Sequence, residues 1–332
     1  VLMGGDSAER GISISSGTTI GRALRAAGHQ VGLIDTAFKD TQVLSNTLNS
    51  AEEQDLLFYS GQVLDVVRMP VVAEADVVFL AFHGGAGENG GIQSLLEIAG
   101  ITYTGSGPLA SALAMNKHVS KMMFRQAGVE TASWIVLSDE GLGQLSSIAE
   151  RVESELGLPW VVKPNAQGST IGLTVVERRE QLAPALKLAK EYDQEVIIEK
   201  YIPGRDLTVA ILDREPLPVI EIIPKHKVYD YTCKYTQGMS QYVVPAEISP
   251  ALQRKISSQA LRAYRLLYCK GYGRVDFRLS AEGELFCLEV NTLPGMTQTS
   301  LVPKAAQAAG TGFPELVDRI VKLAIQRTGS VP

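Results

Sequence analysis

Two carboxylates and an amide are spaced to meet near the C-terminal end of this sequence. The stretch Gly273-Arg274-Val275-Asp276-Phe277-Arg278-Leu279 leads through a turn into Leu285-Phe286-Cys287-Leu288-Glu289-Val290-Asn291. Side chains alternate faces along a strand, so Arg274, Asp276 and Arg278 share one face of the first strand, and Glu289 and Asn291 share one face of the second. If the turn closes with Ser280 opposite Leu285, Asp276 lies across from Glu289 and Arg274 across from Asn291. Two facing carboxylates repel unless a cation joins them. A hard cation such as Mg²⁺ takes carboxylate and amide oxygens together with phosphate oxygens. An amphipathic hairpin with a solvated polar face explains the same alternation, and a one-residue slip would undo the pairing.

A second candidate is Val161-Val162-Lys163-Pro164 followed by Asn165-Ala166-Gln167-Gly168-Ser169-Thr170-Ile171-Gly172. Small residues let backbone N–H groups approach phosphate oxygens, and Lys163 adds a point charge. Neither G-x-x-x-x-G-K-[ST] nor a G-x-G-x-x-G after a strand occurs here, so these are not the common nucleotide loops; a plain glycine-rich hairpin is the alternative. Thr292–Ser300, with Pro294 and Gly295, exposes backbone N–H groups and hydroxyls that could hold a carboxylate or an oxyanion. His83-Gly84-Gly85-Ala86-Gly87-Glu88 and Gly4-Gly5-Asp6-Ser7-Ala8-Glu9 follow expected parallel strands, where ligands of open α/β sheets gather. Either is equally well a glycine turn. Tyr229–Tyr235, with two further aromatic or basic neighbours in Tyr231 and Lys234, is a surface loop or a lid.

These segments need a frame. Strands at Val1–Met3, Val31–Asp35 and Val77–Phe82, alternating with a helix over Ser15–Ala27 that Gly28 ends, predict a parallel sheet with crossovers. The polar stretch Thr36–Pro70 reads as a connection containing a helix. Further on, helices are expected at Gln93–Ala99, Leu109–Ala127 and Arg179–Tyr192, and strands at Ser133–Leu137, Trp160–Lys163, Gly172–Val176 and Glu195–Tyr201. The last region carries strands at Asp206–Leu212, Val219–Ile223 and Gln241–Val244. A helix over Ala251–Cys269 follows, with Ser249 to cap it and Pro250 at its first position, and a final helix covers Phe313–Arg327. The 332 residues are 45% hydrophobic and 20% charged with net charge −5, the composition of a soluble chain of two or three domains without the basic field of many nucleic-acid binders. Apolar runs fall short of the ~20 residues of a membrane helix. Cys233, Cys269 and Cys287 lack C-x-x-C spacing, which argues against a disulfide framework or a zinc site and for a reducing compartment. The opening strand is so short that a preceding initiator segment is expected.

Taken in order, the motifs resemble those of the D-alanine–D-alanine ligase family of the ATP-grasp superfamily. The resemblance rests on Gly4-Gly5-x-Ser7-x-Glu9, His83-Gly84-x-x-Gly87-Glu88, Tyr103-Thr104-Gly105-Ser106-Gly107, Lys163-Pro164 and Gly168-Ser169-Thr170-x-Gly172. It continues through Tyr229–Tyr235, Gly273-Arg274-Val275-Asp276 and Glu289-x-Asn291-Thr292-x-Pro294-Gly295-Met296. It implies a multidomain α/β (α+β) chain: a Rossmann-like parallel-sheet domain over 1–94 for the first substrate, a central ATP-grasp subdomain over 95–197, and a C-terminal ATP-grasp domain over 198–332.

By the same resemblance, Lys117, Lys163 and Lys234 contact ATP phosphates, and Glu199, Lys200, Ile202 and Asp206 hold adenine and ribose. Asp276, Glu289 and Asn291 bind two Mg²⁺ or Mn²⁺. Glu9 meets the amine of the first D-alanine, His83 lies near its carboxyl, and Ser169 and Tyr235 join Glu9 in a lid-closing triad. Arg274 and the Gly295 N–H stabilise the tetrahedral intermediate; Ser300 and the Leu301 N–H hold the second carboxylate. The implied setting is a homodimer in a bacterial cytoplasm, making a peptidoglycan precursor from small molecules, with neither nucleic acid nor membrane as partner.

The sequence departs from the family pattern at Gly11-Ile12-Ser13-Ile14, at Asn89 and Asn116 where aspartates are common, and at Cys233 where a small alanine is common. Three rival functions remain at this level. The first is a ligase of the same fold with D-lactate, D-serine or another acceptor, and Tyr235 argues against the depsipeptide branch. The second is a dehydrogenase on the first α/β unit, which lacks its fingerprint. The third is an ATP-binding regulator without turnover, disfavoured by Arg274, Asp276, Glu289 and Asn291.

Overall fold

A computed structural model of the chain describes residues 1–5, 7, 9–37, 57–60, 63–138 and 145–328. The N-terminal sheet is parallel: β1 (Leu2–Met3) pairs with β2 (Gly32–Asp35), and β2 with β3 (Leu57–Ser60). On the other side of β1, Leu2 bridges Leu80 and Val78 bridges Tyr103, both in parallel. The strand expected over Val77–Phe82 is therefore extended and paired, though only through single bridges. Most of the connection expected over Thr36–Pro70 lies outside the described residues.

The helix Arg10–Ala26 starts directly after Glu9, five residues earlier than its apolar period predicts. It lies close on the sheet because two of its residues have no side chain: a Cβ on Gly17 would come within 2.8 Å of Met3 Cβ, and one on Gly21 within 2.7 Å of Leu33 Cδ2. Ile20, Leu24, Leu2 and Leu33 share this core with Leu316, Val317, Ile320 and Val321 of the last helix, Phe313–Thr328. The end of the chain thus returns to its beginning, and His29 Nε2 lies 2.8 Å from Asp318 Oδ1.

A second sheet is antiparallel, in the order β4 (Trp134–Leu137), β7 (Val196–Lys200), β5 (Trp160–Pro164), β6 (Thr174–Val176). Trp160, Val162 and Ile198 pack with Val152 and Leu186 of two helices, Leu145–Leu156 and Leu182–Lys190, in one core. The helix expected over Arg179–Tyr192 opens with a 3₁₀ turn and is shorter at its end.

The third sheet runs β11 (Ser240–Val243), β10 (Ile220–Pro224), β8 (Arg205–Leu212), β12 (Tyr272–Leu279), β13 (Leu285–Asn291), with β9 (Glu215–Pro216) against β8. Its covering helix, Pro250–Leu266, has Ser249 Oγ accepting from Leu252 N at 3.2 Å and buries Ile256, Ala260 and Ala263. It ends before Cys269 because Tyr268 takes a left-handed φ of 60°. Among the described residues no helix is long and apolar enough to cross a membrane.

The single helix expected over Leu109–Ala127 is two, Pro108–Met115 and Lys117–Gln126. Asn116 is extended at the joint, and its Oδ1 accepts from Val119 N at 3.0 Å, an N-cap that starts the second helix. The apolar period runs on across the break, but the break sets Lys117 at the head of a new helix.

Candidate active site

The β12–β13 hairpin pairs Asp276 with Glu289 and Arg274 with Asn291, the register argued above. It reaches it by another route. The turn closes one residue earlier, with Leu279 opposite Leu285, and a bulge between Phe277 and Asp276 absorbs the extra residue Leu288. The bulge is what puts both carboxylates on one face.

Asp276 accepts four hydrogen bonds from three residues. Arg274 grips it with two parallel bonds, Nε to Oδ1 at 2.9 Å and Nη2 to Oδ2 at 2.7 Å. Thr208 Oγ1 donates to Oδ1 at 2.6 Å, and Asn291 Nδ2 to Oδ2 at 3.0 Å. Burial works against the Arg274 charge, but Asp276 more than offsets it and raises its pKa further. Glu289 lies 3.5 Å from Lys117 Nζ. Burial alone would raise its pKa; Lys117, Lys234, Lys163 and Arg274 overcome that and hold it at about 2. Glu289 is therefore ionised at any working pH.

These groups line a cleft between the second and third sheets. Lys117, Lys163 and Lys234 face it, with Glu199, Lys200, Ile202 and Asp206 along the same walls and Val161, Leu173 and Leu207 as apolar cover. Lys117 Nζ donates to Gln167 O at 2.5 Å, tying the new helix to the glycine-rich loop. Lys163 Nζ donates to Glu199 Oε2 at 2.7 Å. Burial would raise the Glu199 pKa, but Lys121 and Lys163 bring it down to about 2. Burial raises the Asp206 pKa, partly countered by Arg278, whose Nη1 is 2.5 Å away. Arg278 Nε donates to Ile202 O at 2.8 Å. Lys234, on the short helix Tyr231–Tyr235, has its pKa lowered by burial, against the pull of Glu289.

A second, more polar cavity meets the first at Ser169 and Lys234 and reaches Glu9, His83, Arg274 and Ser300. Glu9 Oε1 accepts from Ser169 Oγ and, at 3.1 Å, from Tyr235 Oη, while Ser169 Oγ and Tyr235 Oη are 3.1 Å apart. Three residues from three distant parts of the chain thus close one corner of the cavity. Ser169 and Thr170 adopt left-handed φ of 50° and 63° to reach it, and Thr170 Oγ1 donates to Tyr229 O at 3.0 Å. His83 is buried and 3.1 Å from Ser16 Oγ; burial lowers its pKa, with Glu9 opposing. At the far end, Ser300 Oγ accepts from Thr297 N at 3.1 Å, and Ser300 heads the helix Leu301–Ala308. A Cβ on Gly295 would stand 2.9 Å from Ser300 Oγ, so the backbone there lies bare against the cavity.

All eighteen residues singled out from the sequence line one or other of these two connected cavities. Lys121 escaped sequence reasoning, and Glu88 was singled out only within a motif, without a role. Lys121 is fully buried, bonds Thr131 Oγ1 at 2.7 Å and lies 3.1 Å from Glu199 Oε1; its place one helical turn after Lys117 was the available signal. Glu88 accepts from Gly84 N at 2.8 Å, and burial lifts its carboxyl to about 7, helped by Glu9 and Glu289.

Four cations surrounding oxygen donors suit a polyphosphate with a hard divalent metal. The donor set Asp276, Glu289 and Asn291 can offer oxygen throughout, on one face, with the Glu289 carboxylate held ionised by the surrounding cations, and so fits Mg²⁺.

Comparison with known proteins agrees over the whole length. Residues 1–106 match the family model for the D-ala D-ala ligase N-terminus, and residues 123–322 the one for its C-terminus. A D-alanine–D-alanine ligase of Desulforamulus reducens is 42% identical, the match covering 98% of each chain. The crystal structure of a Bacillus anthracis D-alanine–D-alanine ligase complexed with ATP superposes with a TM-score of 0.78 at 31% identity, covering 99% of this chain and 97% of that one. The VanG D-Ala:D-Ser ligase of Enterococcus faecalis superposes at 0.79 with 26% identity, covering 97% and 98%. The bulged metal-type hairpin, the lysine-lined cleft and these full-length matches all lead to one assignment: the chain belongs to the D-alanine–D-alanine ligase family and has its ATP-grasp fold.

Proposed function

We propose that this chain joins two D-alanine molecules into D-alanyl-D-alanine at the expense of ATP. The observation that carries the reading is the Asp276–Glu289 pair, set among Lys117, Lys163, Lys234 and Arg274, directly beside the cavity closed by Glu9, Ser169 and Tyr235. ATP lies in the cleft between the second and third sheets, with adenine and ribose along Glu199, Lys200, Ile202 and Asp206 and phosphates toward the lysines. Residues 1–94 receive the first D-alanine, 95–197 and 198–332 grasp the nucleotide, and the last helix returns to the first sheet.

A carboxylate is a poor acyl donor because its leaving group would be oxide. The carboxylate of the first D-alanine attacks the γ-phosphorus, the bond to the β-phosphate oxygen breaks, and ADP and D-alanyl phosphate form. Lys117, Lys163 and Lys234 position and neutralise the phosphates, which is most of what such a transfer needs. Glu9 receives the ammonium of this D-alanine and His83 lies by its carboxyl. Asp276, Glu289 and Asn291 would hold two Mg²⁺ or Mn²⁺, which supply charge neutralisation to the phosphate oxygens. The unprotonated amine of the second D-alanine, its carboxylate on Ser300 and the Leu301 N–H, then attacks the acyl carbon. Arg274 and the Gly295 N–H take up the charge on the tetrahedral oxygen. Collapse expels phosphate, the nitrogen gives up its extra proton to the departing phosphate or to water, and the peptide bond remains. D-Alanyl phosphate hydrolyses in water, so the Glu9–Ser169–Tyr235 contact serves to exclude it. The setting is a homodimer in a bacterial cytoplasm, feeding peptidoglycan synthesis, without nucleic acid or membrane as partner.

The test is phosphate release from ATP and Mg²⁺ with a panel of D- and L-amino acids and D-lactate. D-Alanine alone is expected to give release matched by dipeptide. Release with D-alanine plus D-serine or D-lactate but none with D-alanine alone would sink the named acceptor.

A further inference from the structure

The lid segment between β10 and β11 is closed at its base by Lys225 N donating to Met239 O at 2.9 Å. Within it, three side chains of three different chemical types converge. The ligating atoms of His226, Asp230 and Cys233 all lie within 4.8 Å of one another. His226 Nδ1 is 2.7 Å from Asp230 Oδ2. Asp230 Oδ1 accepts from Cys233 N at 2.9 Å and so caps the Tyr231–Tyr235 helix, which turns the buried, unoxidised Cys233 thiol toward the other two. The side chain of His226 is 44% exposed, so the cluster is open to solvent on one side and closed on the other.

We propose that this cluster is a binding site for a borderline-soft divalent cation of the zinc type. Imidazole nitrogen, carboxylate oxygen and thiolate sulfur are the donors zinc takes, and water at the open side completes four. Zinc bonds of about 2.0–2.3 Å set tetrahedral donors roughly 3–4 Å apart, so the 2.7 Å His226–Asp230 pair opens slightly while wider separations, none above 4.8 Å, close a little. On binding, the Cys233 S–H gives its proton to water and the sulfur bonds the ion. His226 binds through Nδ1 as its Nε2–H tautomer, and the His226–Asp230 hydrogen bond is exchanged for two bonds to one ion. No electron moves. Mg²⁺, which prefers oxygen and keeps its own waters, does not compete for a thiolate. The absence of paired cysteines hid the site: its ligands are one each of His, Asp and Cys, at i, i+4 and i+7.

The ion would fasten the start of the lid to the helix that carries Lys234 and Tyr235. That consequence for turnover rests on the function proposed above; the binding itself does not. The experiment adds Co²⁺ to the full chain at saturating Mg²⁺ with a non-thiol reductant. Expected is an intense sulfur-to-cobalt charge-transfer band in the near ultraviolet, saturating at one equivalent and bleached by Zn²⁺. The band is lost in Cys233→Ala and in His226→Ala, while both variants keep the far-ultraviolet circular dichroism and melting curve of the parent. Oxygen-ligated Co²⁺ at Asp276 and Glu289 cannot produce that band. No band in the parent chain, or a band that survives either substitution, overturns the proposal.

Discussion

Replacing Glu88 by glutamine should make the protein more stable at alkaline pH and leave its stability at acid pH nearly unchanged. Burial is the main reason the Glu88 carboxyl sits at about 7 instead of 4.5; Gly84 N opposes this, and Glu9 and Glu289 add to it. The folded chain therefore holds this proton more tightly than the unfolded one. The group's contribution to stability is complete below pH 4.5 and is lost as pH rises through 7. Carried in full, that interval is worth about 3 kcal/mol. The side chain is partly exposed, so solvent screening reduces it to roughly half. Glutamine keeps an oxygen for Gly84 N and has no charge to desolvate. Urea unfolding of both proteins at pH 5 and pH 8 measures the difference. The glutamine variant should gain about 1–2 kcal/mol on the parent at pH 8 and little at pH 5. A difference that is the same at both pH values would refute the argument, because only a titrating Glu88 makes it depend on pH.

Three further outcomes can be checked. Glu289→Gln removes the one carboxylate held ionised by four cations, so ATP turnover should fall about a hundredfold or more; a wild-type rate at saturating Mg²⁺ would contradict the metal assignment. Tyr235→Phe deletes the hydroxyl that meets both Glu9 and Ser169, about 2 kcal/mol for two bonds, so more phosphate should be released per dipeptide formed; an unchanged ratio would mean the contact does not keep water out. Gly17→Ala gains about 1 kcal/mol of helix propensity but drives a methyl against Met3 Cβ, an overpacking cost of about 1–3 kcal/mol; the variant should melt lower than the parent, and a higher melting point would disprove the tight helix–sheet approach.

Local periodicity carried most of the fold. The Pro250–Leu266 helix, with its Ser249 cap and its stripe of Ile256, Ala260 and Ala263, was plain from spacing alone, since each signal is set by neighbours in the chain. What spacing could not reveal is what a face packs against. The last helix reads as amphipathic, but nothing local says that Leu316 and Ile320 meet Leu2 and Leu33. The break at Asn116 was masked by an apolar period that runs through it, although an Asn ahead of a helical stretch is a cap signal in its own right. In the site, alternation on the hairpin reached the right pairing from the wrong turn, because a bulge is invisible to a period of two. Lys121 was missed, and Glu88 was quoted in a motif without a role, because burial, not type or spacing, gives both their character.

That the C-terminal helix completes the N-terminal core has a consequence for synthesis on the ribosome. The first sheet emerges early, yet part of its apolar surface has no cover until Phe313–Thr328 is made, with His29 and Asp318 separated by 289 positions. Contacts of such long separation are costly to close and late to form. During translation that apolar surface stays uncovered until the last helix arrives, the condition under which a nascent unit is prone to aggregate.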